Sequence, residues 1–106
     1  MTVKEIFEEI EKRLAANPAK IQGLNAVFQF TLSGAEAGTW QVKTEGGKAE
    51  FSEGTPHTPG VTIVMSSEDF KEMVGGKLNP TQAFMTGRLK LQGDMGLAMK
   101  LQNVLM

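Results

Sequence analysis

The sequence predicts a domain that combines amphipathic α-helices with an antiparallel β-meander. Three observations support this: a helix-spaced apolar pattern at the N-terminus, alternating apolar patterns separated by tight turns in the middle, and a C-terminal quarter with two helix start signals around one more alternating segment. A chain of 106 residues is long enough for one self-sufficient core. We therefore expect a single domain over residues 1–106.

The first element is a helix that begins at Thr2 and ends near Ala16. Its apolar residues recur at helical spacing and its charged residues occupy the other face. Thr2 and Glu5 form a capping-box pattern at the start. Asn17 precedes Pro18, which disfavours further helix.

Four alternating segments follow the helix and predict strands: AVFQFTL from Ala26, the segment around Trp40 and Val42, the segment around Ala49 and Phe51, and VTIVM from Val61. Gly46-Gly47 predicts a tight turn between the second and third segments, so the first three form an antiparallel meander. The segment EGTPHTPG before the fourth strand is a loop by its glycine and proline content, and it carries the only histidine, His57.

Residues 66–94 continue with two short helices and a fifth strand. Ser66 or Ser67 caps the first helix, whose inner face we assign to Phe70, Met73 and Val74. Asn79-Pro80 starts the second, for which we predict that Ala83, Phe84 and Met85 face inward. The segment RLKLQ then alternates, which places Leu89 and Leu91 on the buried face of the sheet.

The last helix, from Asp94 onward, has more apolar surface than packing on one core requires. Its polar positions are few, and its apolar residues are Met95, Leu97, Ala98, Met99, Leu101, Val104 and Leu105. One explanation is burial on two sides, within the domain or in a dimer. Another is that the helix forms the wall of an apolar cavity filled by a hydrophobic ligand, since five of the seven methionines fall in the last third of the chain.

Composition excludes several functions. Eleven basic and twelve acidic residues leave almost no net charge, which argues against a nucleic-acid surface or a strongly anionic membrane partner, since either would need clustered basic charge. The chain contains no cysteine, so thiolate chemistry and the usual structural zinc sites are absent. No nucleophile with an adjacent base, no carboxylate pair and no metal-ligand spacing stands out, so we predict no catalytic residue, no cofactor and no metal.

The charged N-terminus has no apolar run typical of a signal peptide, which favours the cytoplasm.

The segment SSEDFKEMVGGKLNPTQAFMTGRLKLQGDMGLAMKLQNVL closely resembles the sterol carrier protein type 2 (SCP-2-like) lipid-transfer family. The resemblance includes a phenylalanine helix, G-K-L-N-P, A-F-M-x-G-R-L-K-L-x-G-D and L-A-M-K-L in this order, and a weaker likeness extends over the whole chain. It implies an α/β fold with a single five-stranded, mostly antiparallel sheet, helices packed on one face and an apolar tunnel between the two layers.

The implied activity is non-enzymatic binding and transport of fatty acids, fatty acyl-CoA, sterols or phospholipids, with transient contact to a membrane or a lipid-handling enzyme. The residues that match the family's lining positions are Phe28, Phe30, Trp40, Phe84, Met85, Leu89, Leu91, Met95, Ala98, Met99 and Leu101. For an anionic head group the candidates are Lys20, Gln22, Arg88 and Lys100. A protein-interaction or dimerisation module that uses the apolar last helix is the alternative function.

Overall fold

The computed structural model describes residues 1–105, with the side chains of residues 1–100. Five strands and four helices follow one another as α1 (Val3–Ala16), β1 (Ala26–Ser33), β2 (Gly38–Glu45), β3 (Lys48–Glu53), β4 (Val61–Ser66), α2 (Ser67–Val74), α3 (Pro80–Met85), β5 (Leu89–Gly93) and α4 (Met95–Leu105). A short 3₁₀ turn at Pro18–Lys20 follows α1. Among the helices in this part of the chain, none has the length and apolar character needed to cross a bilayer.

The strands form one sheet in the order β3-β2-β1-β4-β5. β1 and β4 pair in parallel, and the other neighbouring strands pair antiparallel. The meander and the mostly antiparallel sheet are therefore confirmed. Because β3 and β5 are the two edge strands, the C-terminal elements that border β5 lie at one edge of the sheet.

One face of the sheet is covered by helices. The register places Phe28, Phe30, Val42, Ile63 and Leu89 on this inner face, and all five are buried. The Phe7 ring of α1 lies within 5.1–6.4 Å, between ring centroids, of an aromatic ring from each of three strands and from α2: Phe30, Trp40, Phe51 and Phe70. Aromatic pairs at such distances add to the free energy gained by burial alone. This cluster joins α1 and α2 to the sheet.

The helix starts follow the sequence signals. Thr2 and Glu5 form the predicted capping box, Ser66 caps α2 by accepting the Asp69 N–H, and Asn79 accepts the N–H groups of Thr81 and Gln82 at the start of α3. These caps satisfy backbone donors that the first helical turn leaves unpaired. They fix where each helix begins.

Carboxylates hold the turn between β1 and β2 against α1 and α2. Glu36 accepts the Val3 N–H at 2.8 Å and forms an ion pair with Lys71. Glu68 accepts the Ala35 N–H at 3.1 Å, and the Glu36 N–H donates to Ser67 Oγ at 3.2 Å. The hydrogen bond from Lys71, followed by that from Val3, lowers the pKa of Glu36, and the Ala35 N–H lowers the pKa of Glu68.

These lowered pKa values predict that acid destabilises the fold. A carboxyl with a lower pKa in the folded state stabilises it above the pKa of the unfolded chain, and this contribution is lost as the pH falls through the folded-state value. We expect the free energy of unfolding to fall below pH 4.5, the ordinary pKa of a glutamic acid side chain. Denaturant titrations at about pH 7 and about pH 3 measure this difference.

Glu36→Gln should be less stable than the parent at neutral pH and should lose less stability on acidification. Glu8→Gln, on the exposed side of α1, is the matched control and should behave as the parent does. An unchanged pH dependence in Glu36→Gln would contradict the assigned role of this carboxylate.

Candidate functional site

The candidate site lies at the β5 edge, where the C-terminal elements meet the inner face of the sheet. α3 packs on β5, and α4 contacts β4, β5 and α1. The residues predicted from the sequence separate here into a buried group on the strands and an exposed group on the two helices.

The buried group consists of Phe28, Phe30, Trp40 and Leu89. Phe30 and Trp40 already contact the Phe7 ring, so a ligand would reach them only if α1 or α2 moved. Leu91 is half-buried and packs against the core from β5. Of the predicted positions on the sheet, Leu91 is therefore the most accessible.

The exposed group shows that one prediction was wrong. Phe84 and Met85 do not face inward: their exposed fractions are 47% and 79%. α3 has only six residues, and it buries Ala83 against the core while the next two side chains project away from it. The predicted inner face of this helix is therefore limited to Ala83.

α4 also leaves apolar side chains uncovered. Leu97 and Ala98 pack against the core, whereas Met95 is 49% exposed and Met99 is 83% exposed. Positions 95 and 99 are one helical turn apart and share a face, so the predicted surplus of apolar surface is real and faces outward. The side chain of Leu101, the remaining predicted position, lies outside the described residues.

The first turn of α4 is fixed to the segment before β4. The Gly60 N–H donates to the Val27 carbonyl at 3.0 Å, and the Asp94 N–H donates to the Gly60 carbonyl at 2.9 Å. Asp94 Oδ1 accepts the N–H groups of Gly96 and Leu97, which caps the helix. The start of α4 is thus held by backbone hydrogen bonds, independently of the apolar contacts along its length.

Close contact requires glycine at one position of this junction and leaves little room for a side chain at a second. Gly93 has a φ of +106°, and a Cβ there would lie 2.6 Å from the Gly60 carbonyl oxygen. A Cβ on Gly60 would lie 2.6 Å from Leu97 Cδ1. Gly93 and Gly60 therefore let β5, β4 and α4 meet at one point, which we call the glycine junction.

An open groove of about 510 Å³ adjoins the glycine junction. Its lining comes from the start of β1, the end of β2, the loop before β4 and the first turns of α4: Asn25, Ala26, Val27, Lys43, Thr44, Glu45, Thr58, Gly60 and Leu97. Sequence reasoning missed this groove because no short-range pattern connects those four stretches. The Pro59-Gly60 pair before β4 indicates a turn and carries no signal for the approach of α4 or β2.

A glutamine side chain fastens the loop that borders the groove. Gln41 Nε2 donates to the His57 carbonyl and to Gln29 Oε1, both at 2.8 Å, and Gln41 Oε1 accepts the His57 N–H at 3.1 Å. Gln41 is buried as a result, although it lies on the outer face of the sheet. The histidine is thus held here through its backbone.

Ion pairs within the protein affect which of the predicted residues could bind an anionic lipid head group. Arg88 Nε donates to Asp69 Oδ2 at 3.2 Å, and its Nη2 donates to Glu72 Oε2 at 3.4 Å. The hydrogen bond from Arg88 lowers the pKa of Asp69, and the same bond raises the pKa of Arg88. An anionic head group at Arg88 would have to compete with two carboxylates, whereas Lys100 on α4 is exposed.

The structure offers no cluster of metal-ligating side chains in residues 1–100. Within those residues, no group of three or more His, Cys, Asp or Glu side chains is placed to hold a metal ion. The β5 edge therefore offers a ligand apolar contacts, and cationic side chains lie near that edge.

Comparison with known proteins gives one consistent result. The model of the SCP-2 sterol transfer family matches residues 7–106. Hydroxysteroid dehydrogenase-like protein 2 of Xenopus laevis is 40% identical over 104 residues, which cover 97% of this chain and 24% of that protein. The chain thus spans about a quarter of the length of the curated relatives it matches.

Two solved structures share the fold at 31% identity and a TM-score of 0.80. One is the solution structure of the sterol carrier protein domain 2 of Helicoverpa armigera, with 96% of this chain and 83% of that chain covered. The other is the solution structure of palmitated SCP2L2 from Aedes aegypti, with 99% and 95% covered.

The glycine junction predicts a specific loss of stability. Gly93→Ala adds a side chain at positive φ and against a carbonyl oxygen, whereas Gly54→Ala adds one at a φ of +93° with no atom within 4 Å. Positive φ costs both variants about 1–3 kcal/mol, and crowding should cost Gly93→Ala roughly another 1–3 kcal/mol. Urea denaturation of the two variants measures the difference. Equal free energies of unfolding would show that the junction does not constrain the fold.

Proposed function

Because the chain belongs to the SCP-2 sterol transfer family, we propose that it is a non-enzymatic lipid carrier. It binds one fatty acid, fatty acyl-CoA, sterol or phospholipid molecule in an apolar tunnel between the sheet and the C-terminal helices. It works in the cytoplasm, a location compatible with a chain that contains no cysteine.

The observation that carries this proposal is the apolar surface on α3 and α4. Phe84, Met85, Met95 and Met99 are each about half exposed or more, and the two helices that carry them both contact β5, where Leu91 is half-buried. Scattered apolar side chains on a protein surface are common, but a set of this size on consecutive elements indicates a contact surface. A lipid chain would cover part of it if α4 turned Met95 and Met99 toward β5 as the lipid entered.

Methionine suits this role because its side chain is flexible and polarisable. An acyl chain that enters an apolar tunnel gains about 0.8 kcal/mol for each buried methylene, so a long chain is retained without a specific polar contact. The palmitated relative from Aedes aegypti supports fatty acids as one ligand class. Sterols and phospholipids follow from the same apolar chemistry.

Ligand uptake would displace α4 along its length but not at its start. Its first turn is held by the Asp94 N–H and by the Asp94 side chain, whereas Met95 is half exposed and Met99 is mostly exposed. We propose that α4 tilts about the glycine junction when a lipid enters. The predicted lining residues farthest from this opening are then Phe28, Phe30 and Trp40. The nearest are Leu89 and Leu91.

The relatives named as hydroxysteroid dehydrogenase-like proteins extend the proposal. This chain corresponds to about a quarter of their length. In those proteins the matching domain is therefore part of a much longer polypeptide. We propose that such a domain holds an apolar molecule for an attached or separate enzyme, and that no residue of this chain takes part in catalysis.

The test is binding of a fluorescent fatty acid to the double variant Met95→Gln/Met99→Gln. Glutamine has a similar size, and both positions are largely exposed, so the fold should be retained. We expect affinity to fall roughly tenfold or more, since the lost apolar contact is worth about 1.5–3 kcal/mol for each fully covered methionine. A fluorescence titration measures the dissociation constant.

The matched control is Val64→Gln, which places the same polar group on the outer face of the sheet. Its affinity should equal that of the parent. Equal affinity in the methionine variant, with its unfolding transition unchanged, would reject α4 as a wall of the ligand site. A stable dimer by light scattering, together with no fatty acid uptake by the parent, would favour the interaction module.

A further inference from the structure

The loop between β3 and β4, residues 54–60, crosses the outer face of the sheet. β2 and β1 lie between β3 and β4 in the strand order, so the chain has to pass both strands to connect them. Gln41 holds the loop over β2, and its side chain on this outer face is only 1% exposed. A buried amide needs partners for its donor and its acceptor, and the loop supplies one of each.

Gln41 binds the backbone of His57 on both sides of that residue. Its Nε2 donates to the His57 carbonyl at 2.8 Å, and its Oε1 accepts the His57 N–H at 3.1 Å. Nε2 also donates to Gln29 Oε1 on β1. The side chain therefore fixes both the position and the orientation of His57 above the sheet.

Pro56 and Pro59 stiffen the loop around His57. A proline has a fixed φ and also restricts the residue before it, so Thr58 favours an extended backbone. Only Thr58 and Pro59 separate His57 from Gly60. Because this connection is short and stiff, fixing His57 limits where Gly60 can lie.

Gly60 passes this restraint to α4. Its N–H donates to the Val27 carbonyl at 3.0 Å, and its carbonyl accepts the Asp94 N–H at 2.9 Å. Leu97 lies so close that a Cβ on Gly60 would be 2.6 Å from Leu97 Cδ1. The first turn of α4 thus rests on the end of a loop that Gln41 anchors to β2.

We propose that Gln41 is a positioning residue for α4, which slows the release of a lipid by holding the loop under the start of the helix. The proposal rests on the proposed function, in which α4 tilts about the glycine junction as a lipid enters. Gln41 lies on the face of the sheet opposite the predicted lining residues, so it acts through the loop and not by contact with the lipid. Without its hydrogen bonds, the loop and the start of α4 would open more often.

The test is amide hydrogen exchange, measured by NMR without lipid, in Gln41→Leu and in Pro59→Ala. Leucine removes all three hydrogen bonds of the Gln41 side chain, whereas Pro59→Ala loosens the loop and leaves the buried glutamine in place. The Asp94 amide should exchange about tenfold faster or more in Gln41→Leu and about two- to fivefold faster in Pro59→Ala. An Asp94 amide that exchanges in both variants as it does in the parent would overturn the proposal.

The matched control is Ile10→Val, a small cavity on the buried side of α1. It should speed exchange of the β1 amides, which we expect to open only when the whole domain unfolds, and should affect Asp94 much less than Gln41→Leu does. Equal acceleration of the Asp94 amide in Ile10→Val and Gln41→Leu would mean that overall stability alone governs this amide. That result would also overturn the proposal.

Fatty acid release separates this proposal from the proposed function. With excess unlabelled palmitate as the competitor, a fluorescent fatty acid should leave Gln41→Leu about threefold faster or more than it leaves the parent. Uptake with equal release rates in both proteins would retain the carrier function and overturn the control of release by Gln41. No uptake by the parent would overturn the carrier function, and amide exchange would still decide whether Gln41 positions α4.

Discussion

The contact of Phe7 with rings from three strands and α2 is the interaction on which the rest of the structure depends. It places a helix of fourteen residues across the β1, β2 and β3 part of the sheet and draws α2 to the same cluster. The cost of removing a ring from such a cluster is about 3–5 kcal/mol, a large share of the stability of a small domain. This side of the domain is consequently a closed core, which a ligand would reach only if α1 or α2 moved.

The β5 end of the same face of the sheet is covered less completely. α3 has six residues and buries Ala83, and α4 buries Leu97 and Ala98 only in part. A helix covers an apolar sheet fully only when it is long enough and faces it with a broad apolar stripe. The domain therefore combines a closely packed half with a half whose apolar surface is exposed, and the glycine junction keeps α4 attached while leaving its outer face uncovered.

Much of this arrangement follows from local patterns in the sequence. The N-terminal helix, the three-stranded meander and the caps at Thr2 and Asn79 were predicted, because spacing and capping residues act over a few positions. The family and the sheet were predicted from the C-terminal motif. The orientation of Phe84 and Met85 was not, because it depends on how a six-residue helix rests on β5 and not on its own periodicity. The groove beside Gly60 and the burial of Gln41 escaped prediction for the same reason: each depends on contacts between segments distant in the sequence.

Native mass spectrometry of the protein mixed with palmitate tests the central claim most directly, because it reports ligand number and oligomeric state together. A carrier with one apolar tunnel predicts a monomer that retains one fatty acid under gentle ionisation and loses it as collision energy rises. A chain that stays unliganded with excess palmitate, or a dimer without fatty acid, would contradict the account and assign the exposed surface of α3 and α4 to another protein chain.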